Sequence, residues 1–256
     1  MDFAVGCDTD AGAVREQNQD CFILRYSNDA RCSSCFAVLC DGMGGLSEGD
    51  LASNTVVKAL EKWYVDRFEK TTEGFYHTDE TVIEELKIVI RYCHDRLNRY
   101  GDSKSIKLGT TIAVLLIRNS SFIAMNIGDS RIYYLDDSYR LITKDDTVVN
   151  QWIDENKMTP DEAEKSNKKH ILTQCIGVGK TPEPHICLGS CRPGCVWFMC
   201  SDGMYHVLSD TELKDSMLKQ RNDRGSNAMS DLRDMMRTVM DRGERDNLTG
   251  IFITLV

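Results

Sequence analysis

Four aspartates sit where an apolar run gives way to glycine or polar residues. Asp41 follows CFAVLC (35–40) and opens DGMGG (41–45). Asp129 follows FIAMNI (122–127) within GDSR (128–131). Asp202 follows VWFMC (196–200) and sits in SDG (201–203). Asp246 opens DNLTG (246–250), just before the final apolar run IFITLV (251–256). Each position reads as a strand end running into a turn. Carboxylates gathered at apolar strand ends would repel one another and resist desolvation. Gathering them requires cations, so the four read as one metal site assembled from distant strands. Taken singly, each reads better as a turn residue, because Asp before Gly is a favoured turn pair. Recurrence of the pattern favours the metal.

The ligand types select the ion. No histidine or cysteine lies inside DGMGG, GDSR or DNLTG. Carboxylates and backbone carbonyls are hard oxygen donors, which suit Mg²⁺ or Mn²⁺ and argue against zinc. Two or more such ions clamp phosphate oxygens and generate a hydroxide nucleophile.

Strands are expected near 35–40, 110–117, 121–127, 131–135, 196–200 and 248–255, from apolar runs rich in β-branched residues. A helix over 48–69 places Leu51, Val56, Leu60 and Trp63 near one face. A second, over 79–99, repeats Val82, Leu86, Val89, Cys93 and Leu97. Ser209 with Glu212 reads as a capping box. A last helix over 226–241 turns Leu232, Met235 and Val239 inward. Strands and helices do not alternate, so a Rossmann-type sheet is excluded. The expected class is α+β: a β-sandwich of two mainly antiparallel sheets flanked by helices.

The chain has 256 residues, enough for one sizeable domain over 1–256. A net charge of −9 with no basic stripe argues against nucleic acid. No stretch approaches the ~20 apolar residues that span a bilayer. The segment MDFAVGCDTDAG is not read as an export signal, so a cytoplasmic protein is expected. The eleven cysteines are odd in number and are read as reduced. Cys32 and Cys35 run into a strand rather than a redox helix. Cys187, Cys191, Cys195 and Cys200 do not have the spacing of paired zinc knuckles and suit core packing. GVGKT (177–181) is not a phosphate loop, because Gln174 replaces the required first glycine and Pro182 and Pro184 follow.

Wording and order carry a resemblance over essentially the whole chain. GAVREQNQD (12–20), VLCDGMGG (38–45), GTTIAVLLI (109–117), NIGDSRIYYL (126–135), ILTQCIG (171–177), FMCSDGMYHVLSD (198–210) and RDNLTGIFI (245–253) together resemble the metal-dependent protein phosphatases of the 2C type. DGMGG looks like the bacterial branch. The resemblance implies α/β/β/α layering, with a mobile flap over about 145–180 beside the active site. It implies hydrolysis of phosphoserine and phosphothreonine on substrates of serine/threonine kinases, by a monomer. Two tightly bound Mn²⁺ or Mg²⁺ ions are implied, with a third, weaker ion. Attack is by a hydroxide bridging the metals, without a covalent intermediate.

Residue by residue, the resemblance makes Asp41 the bridge between two metals and adds the Gly42 carbonyl to one of them. Asp202 and Asp246 complete the other. Asp20 contacts the metals mostly through water, with Gln19 where many relatives carry glutamate. Asp129 joins Asp202 at the third ion. Arg15 binds phosphate through its planar fork. Met43 stands where some relatives carry histidine, and a thioether has no proton to give. A metal-bound water is the expected donor to the leaving oxygen, with His170 and His206 as alternatives. Two other functions stay open: an inactive phosphoprotein-binding module on the same fold, and a phosphatase dedicated to one anti-sigma-type regulator.

Overall fold

Side-chain alternation along one long strand sorts the molecule into layers. The computed structural model describes residues 2–29, 32–44, 48–71 and 76–256. In chain order these form β1 (Phe3–Asp10), β2 (Asp20–Asp29), β3 (Cys32–Gly44), α1 (Glu48–Tyr64), α2 (Asp79–Lys104), β4 (Leu108–Thr110), β5 (Ile112–Arg118), β6 (Ser121–Ile127), β7 (Arg131–Leu135) and β8 (Tyr139–Leu141). There follow α3 (Val148–Asp154), α4 (Pro160–Glu164), β9 (His185–Ser190), β10 (Val196–Cys200), α5 (Asp202–Tyr205), α6 (Asp210–Asn222), α7 (Ala228–Asp241) and β11 (Leu248–Leu255).

On β3, Phe36, Val38 and Cys40 pack with Leu60 of α1 and Leu86 of α2. The alternate residues Cys35, Ala37 and Leu39 pack with Trp197 and Ile251 of the other sheet. This is the period of two expected of a strand buried on both faces. Beyond the second sheet, Val196, Phe198 and Cys200 of β10 meet Leu213 of α6 and Leu232 of α7. Burying each large apolar side chain contributes roughly 1.5–3 kcal/mol. The resulting order is helices, sheet, sheet, helices. One sheet runs β1-β11-β10-β7-β8 and the other β2-β3-β5-β6-β9, with β4 pairing the end of β3. Neighbouring strands are antiparallel throughout both orders.

Three expectations change. β3 does not stop at Cys40: it runs on through Asp41–Gly44, where Gly42, Met43 and Gly44 pair with Thr110, Gly109 and Leu108 of β4. Asp41 therefore lies within a strand, not at a turn; Gly45 of the same motif is outside the described residues. Asp202 begins the short helix α5 rather than a turn. Leu51 is exposed, and Ala52 takes the inward place on α1. The helix also changes character near its end, with one π-helical turn at Val65–Glu69. Sequence periodicity missed β1, β2, β8 and β9. On β9 the apolar residues Ile186 and Leu188 lie on the exposed face, together with Ser190.

The capping box at α6 forms as read: Ser209 N–H donates to Glu212 Oε2 at 2.9 Å, and Glu212 N–H to Ser209 Oγ at 3.3 Å. After GVGKT the chain enters β9, not a helix. Within 145–180 lie α3 and α4, each started by a threonine cap, Thr147 and Thr159. The segment is fastened at its start. Asp145 is paired with Arg131, and Asp146 accepts the Gly128 N–H at 2.8 Å and faces His185 Nε2 at 2.7 Å.

Candidate active site

Strand register brings the first two carboxylates together. Asp20 on β2 is the direct cross-strand partner of Asp41 on β3. The Asp41 backbone is held from the next strand: its N–H donates to Thr111 Oγ1 at 3.0 Å, and its carbonyl accepts from Thr111 N–H and Thr110 Oγ1, both at 2.9 Å. Gly42 follows because nothing larger fits. A Cβ there would lie 2.2 Å from the Gly49 carbonyl oxygen and 2.6 Å from that of Gln19.

Asp129 lies in the turn between β6 and β7. Gly128 before it has φ of +93°, a left-handed backbone that favours glycine. Thr111 Oγ1 bonds Ser130 Oγ across this turn at 2.7 Å. The last two carboxylates come from neighbouring strands of the other sheet. Cys200 of β10 pairs with Gly250 of β11, so Asp202 and Asp246, just outside those strand ends, share one edge.

These residues meet at one cavity of about 580 Å³, lined by Arg15, Asp41, Gly42, Asp129, Asp202 and Asp246. Met43 and, from the 145–180 segment, His170, Leu172, Cys175 and Val178 also line it. Asp20 is not on the lining. It is buried, and its Oδ2 accepts from Ser201 Oγ at 2.8 Å and Thr249 Oγ1 at 2.6 Å, joining the two sheets at their ends. Its Oδ1 has no partner, and neither does Oδ1 of Asp202.

Arg15 arrives on the loop between β1 and β2, which Asn247 clamps. Asn247 Oδ1 accepts the Gln19 N–H at 2.9 Å, and its Nδ2 donates to the carbonyls of Ala11 and Gln17 at 3.0 Å. Arg15 Nη2 donates to Asp246 Oδ2 at 2.8 Å, with about half the arginine side chain exposed. DNLTG thus supplies both a cavity carboxylate and the clamp for the arginine loop. Thr111, Ser201, Thr249 and Asn247 were not singled out from sequence. Each lies inside a quoted motif, but a strand threonine or a turn asparagine looks the same whether or not it holds a carboxylate.

Crowding shows in the protonation of the carboxylates. Burial, the larger cause, and then the neighbouring Asp20 hold Asp41 well above the ordinary carboxylate range. Burial pushes Asp20 up to about 7 against two hydroxyl hydrogen bonds that pull it down. Burial and the Asp202 charge push Asp129 up to about 8. Asp202 is also raised, by burial first, while His206 opposes the shift. In the unfolded chain an aspartate titrates near ~3.9. Folded values above unfolded ones mean that the folded state keeps protons the unfolded state has lost. That stabilisation is complete below about pH 4 and is lost as pH rises through about 7 to 8. The metal-free protein is therefore expected to melt at progressively lower temperature from about pH 5 to pH 8, and saturating Mn²⁺ or Mg²⁺ should flatten the dependence. A metal-free melting temperature that is level or rising over that interval would contradict the crowding.

The donor set fits hard divalent cations. A buried polar atom without a partner costs about 1–3 kcal/mol, more when charged, and two carboxylate oxygens here are in that state. The four cavity carboxylates and the Gly42 backbone are oxygen donors of the kind such ions prefer, beside which His170 and Cys175 also line the wall.

Comparison with known proteins agrees with this geometry. The sequence model of the family described as protein phosphatase 2C matches residues 12–252. Protein phosphatase PhpP of Streptococcus pneumoniae serotype 2 is 32% identical over 213 residues, 81% of each chain. The serine/threonine phosphatase stp of Listeria welshimeri is 26% identical over 249 residues, 96% of this chain and 93% of its own. Among solved structures, the S. agalactiae serine/threonine phosphatase superposes with a TM-score of 0.81 at 25% identity, covering 99% of this chain and 100% of that one. With the family pattern matched from the arginine loop to the last strand, and the sandwich and the aspartate cavity in place, this chain belongs to the protein phosphatase 2C family.

Proposed function

We propose that the protein hydrolyses phosphoserine and phosphothreonine esters on proteins, in a reaction that depends on bound Mn²⁺ or Mg²⁺. The observation that carries this is the convergence of Asp41, Asp129, Asp202 and Asp246 with Arg15 on one cavity. Asp41 and the Gly42 carbonyl would hold one ion, with Asp41 also reaching a second that Asp202 and Asp246 would complete, and Asp20, whose Oδ1 has no partner, would contact them mostly through water. Asp129 and Asp202 would hold a third, weaker ion. When bound, divalent ions of this kind supply activated water at neutral pH and neutralise charge on phosphate oxygens.

The chain's own groups do the positioning. Asp246 orients the Arg15 guanidinium, whose remaining N–H donors face phosphate oxygens in a planar fork. Met43 lines the cavity without a proton to give, so the leaving oxygen takes its proton from water. The 145–180 segment contributes part of the cavity wall and is read as the flap that meets the phosphoprotein. The complete carboxylate set leaves no observation favouring an inactive binding module. Among the described residues no helix is long and apolar enough to cross a membrane. We place the protein in the cytoplasm, a reading that its ten described free thiols support, acting as a monomer on kinase substrates.

Phosphopeptide hydrolysis should require Mn²⁺ or Mg²⁺ and fall to background on chelation. Asp129→Asn should shift the metal requirement upward while two tight ions are retained. Full turnover in a verified metal-free preparation would overturn the proposal, and a parental metal curve in Asp129→Asn would remove the third ion.

Arg15→Lys keeps the charge but loses the fork. We expect catalytic efficiency on phosphopeptides to fall by roughly 1–3 kcal/mol of transition-state stabilisation. Unchanged efficiency across several peptides would count against a phosphate role for Arg15.

A further inference from the structure

A second group of donors stands beside the oxygen site and differs from it in chemistry. His170, in the turn that follows α4, Asp202, at the start of α5, and His206, just after α5, each offer one ligand atom, and these lie within 4.8 Å of one another. We infer that the three residues form a separate site for a borderline divalent ion such as Zn²⁺.

The spacing suits a shared ion. His206 Nε2 is 3.4 Å from Asp202 Oδ2, too long for a good hydrogen bond. Tetrahedral zinc with bonds of about 2.0–2.1 Å sets its ligands roughly 3.3 Å apart. The other face of His206 is also arranged for ligation. Nδ1 lies 3.4 Å from Glu244 Oε2. Glu244 is itself fixed, since its Oε1 accepts the N–H groups of Arg245 at 2.7 Å and Asp246 at 3.0 Å. Metal-binding histidines commonly have a carboxylate beside the nitrogen that keeps the proton, leaving the opposite nitrogen free to ligate; Glu244 stands on the Nδ1 side of His206, at the same 3.4 Å that separates Nε2 from Asp202. Nε2 is the His206 nitrogen that faces Asp202.

His170 completes the set from the side. Its ring meets that of His206 edge to face, with centroids 4.5 Å apart and planes at 86°. Asp202 has one oxygen toward His206, and its buried Oδ1 has no hydrogen-bond partner. Two imidazoles and one carboxylate leave a fourth position for water. Imidazole nitrogen favours zinc and its neighbours in the transition series, whereas Mg²⁺ prefers oxygen. The two sites therefore select different ions although they share Asp202. An ion held here would tie the turn after α4, in the 145–180 segment, to the helix that follows β10.

The test reads binding without turnover, so its failure is distinct from failure of the proposed hydrolysis. Metal-free parent, His170→Ala and His206→Gln are dialysed against Zn²⁺ with Mg²⁺ in large excess, and retained zinc is counted. The parent should keep one zinc that each variant loses or binds at least about tenfold more weakly. Co²⁺ under the same conditions should give the parent intense visible bands of a four-coordinate site containing imidazole, and His170→Ala should lose them. His170 is exposed, so its variant keeps the test decisive even if His206→Gln fails to fold. Equal zinc retention by His170→Ala and parent overturns the inference, as does a parent that retains no zinc against Mg²⁺.

Discussion

Asp41→Ala and Asp202→Ala are expected to lose turnover by at least about a hundredfold, the scale set by removing one fixed electrostatic contact to a transition state, while the fold survives. For Asp41 the reason lies in its backbone. Its N–H and carbonyl are bonded to Thr110 and Thr111 whatever the side chain is, so strand pairing persists without the carboxylate. Removing that carboxylate also removes repulsion from Asp20, Asp202, Asp129 and Asp246. The melting temperature of metal-free Asp41→Ala should therefore rise above the parent's. Asp202→Ala should gain less, because His206 loses the carboxylate that faces it. Two measurements decide: phosphopeptide turnover at saturating Mn²⁺, and melting in chelator. Turnover near the parent's in either variant would sink the assignment, and a lowered metal-free melting temperature for Asp41→Ala would sink the electrostatic account of it.

How much of this was legible in the sequence depends on what kind of interaction places each residue. The strands carrying the aspartates were visible because they are buried on both faces and read as apolar runs: β5 and β10 have every residue buried. β2 was not, because its residues are partly exposed and its apolar ones, Phe22, Ile23 and Leu24, are flanked by polar side chains. Yet β2 delivers Asp20 opposite Asp41. Strand register cannot be read from one strand alone, so that pairing could come only from the folded chain or from a family pattern. The same holds for the ties that arrange the cavity. Asn247 reaches back some 230 positions to the arginine loop, and Ser201 crosses from one sheet to the other to hold Asp20. Local propensity contains no trace of such partners. The extension of β3 through Asp41–Gly44 was hidden by its glycines, which signal turns in a sequence. Here they permit close approach instead, as the 2.2 Å clearance at Gly42 requires.

Arg131→Met should destabilise the protein by about 3–5 kcal/mol, the usual consequence of removing one member of a buried ion pair. Arg131 ends the GDSR motif and opens β7, and it carries a buried ion pair. Its guanidinium reaches Asp145 through Nε, at 3.1 Å to Oδ2, and Nη2, at 2.7 Å. It donates to Tyr133 Oη at 3.0 Å and lies 3.6 Å from the centre of the Tyr205 ring. The Asp145 side chain is only 7% exposed, so without the arginine its charge is left largely desolvated. At about 2–4 °C per kcal/mol for a chain near this size, melting should fall by roughly 6–20 °C. The distinguishing variant is Arg131→Met with Asp145→Leu. Replacing both partners by apolar residues is often neutral, so the double variant should recover most of the loss. A simple packing defect would instead persist or worsen in it. Because Asp145 opens the 145–180 segment, the single variant should also speed amide hydrogen exchange in α3 while leaving β3 and β5 protected. A single variant that melts within about 2 °C of the parent would show that Asp145 finds another partner and that the segment is not anchored through this pair.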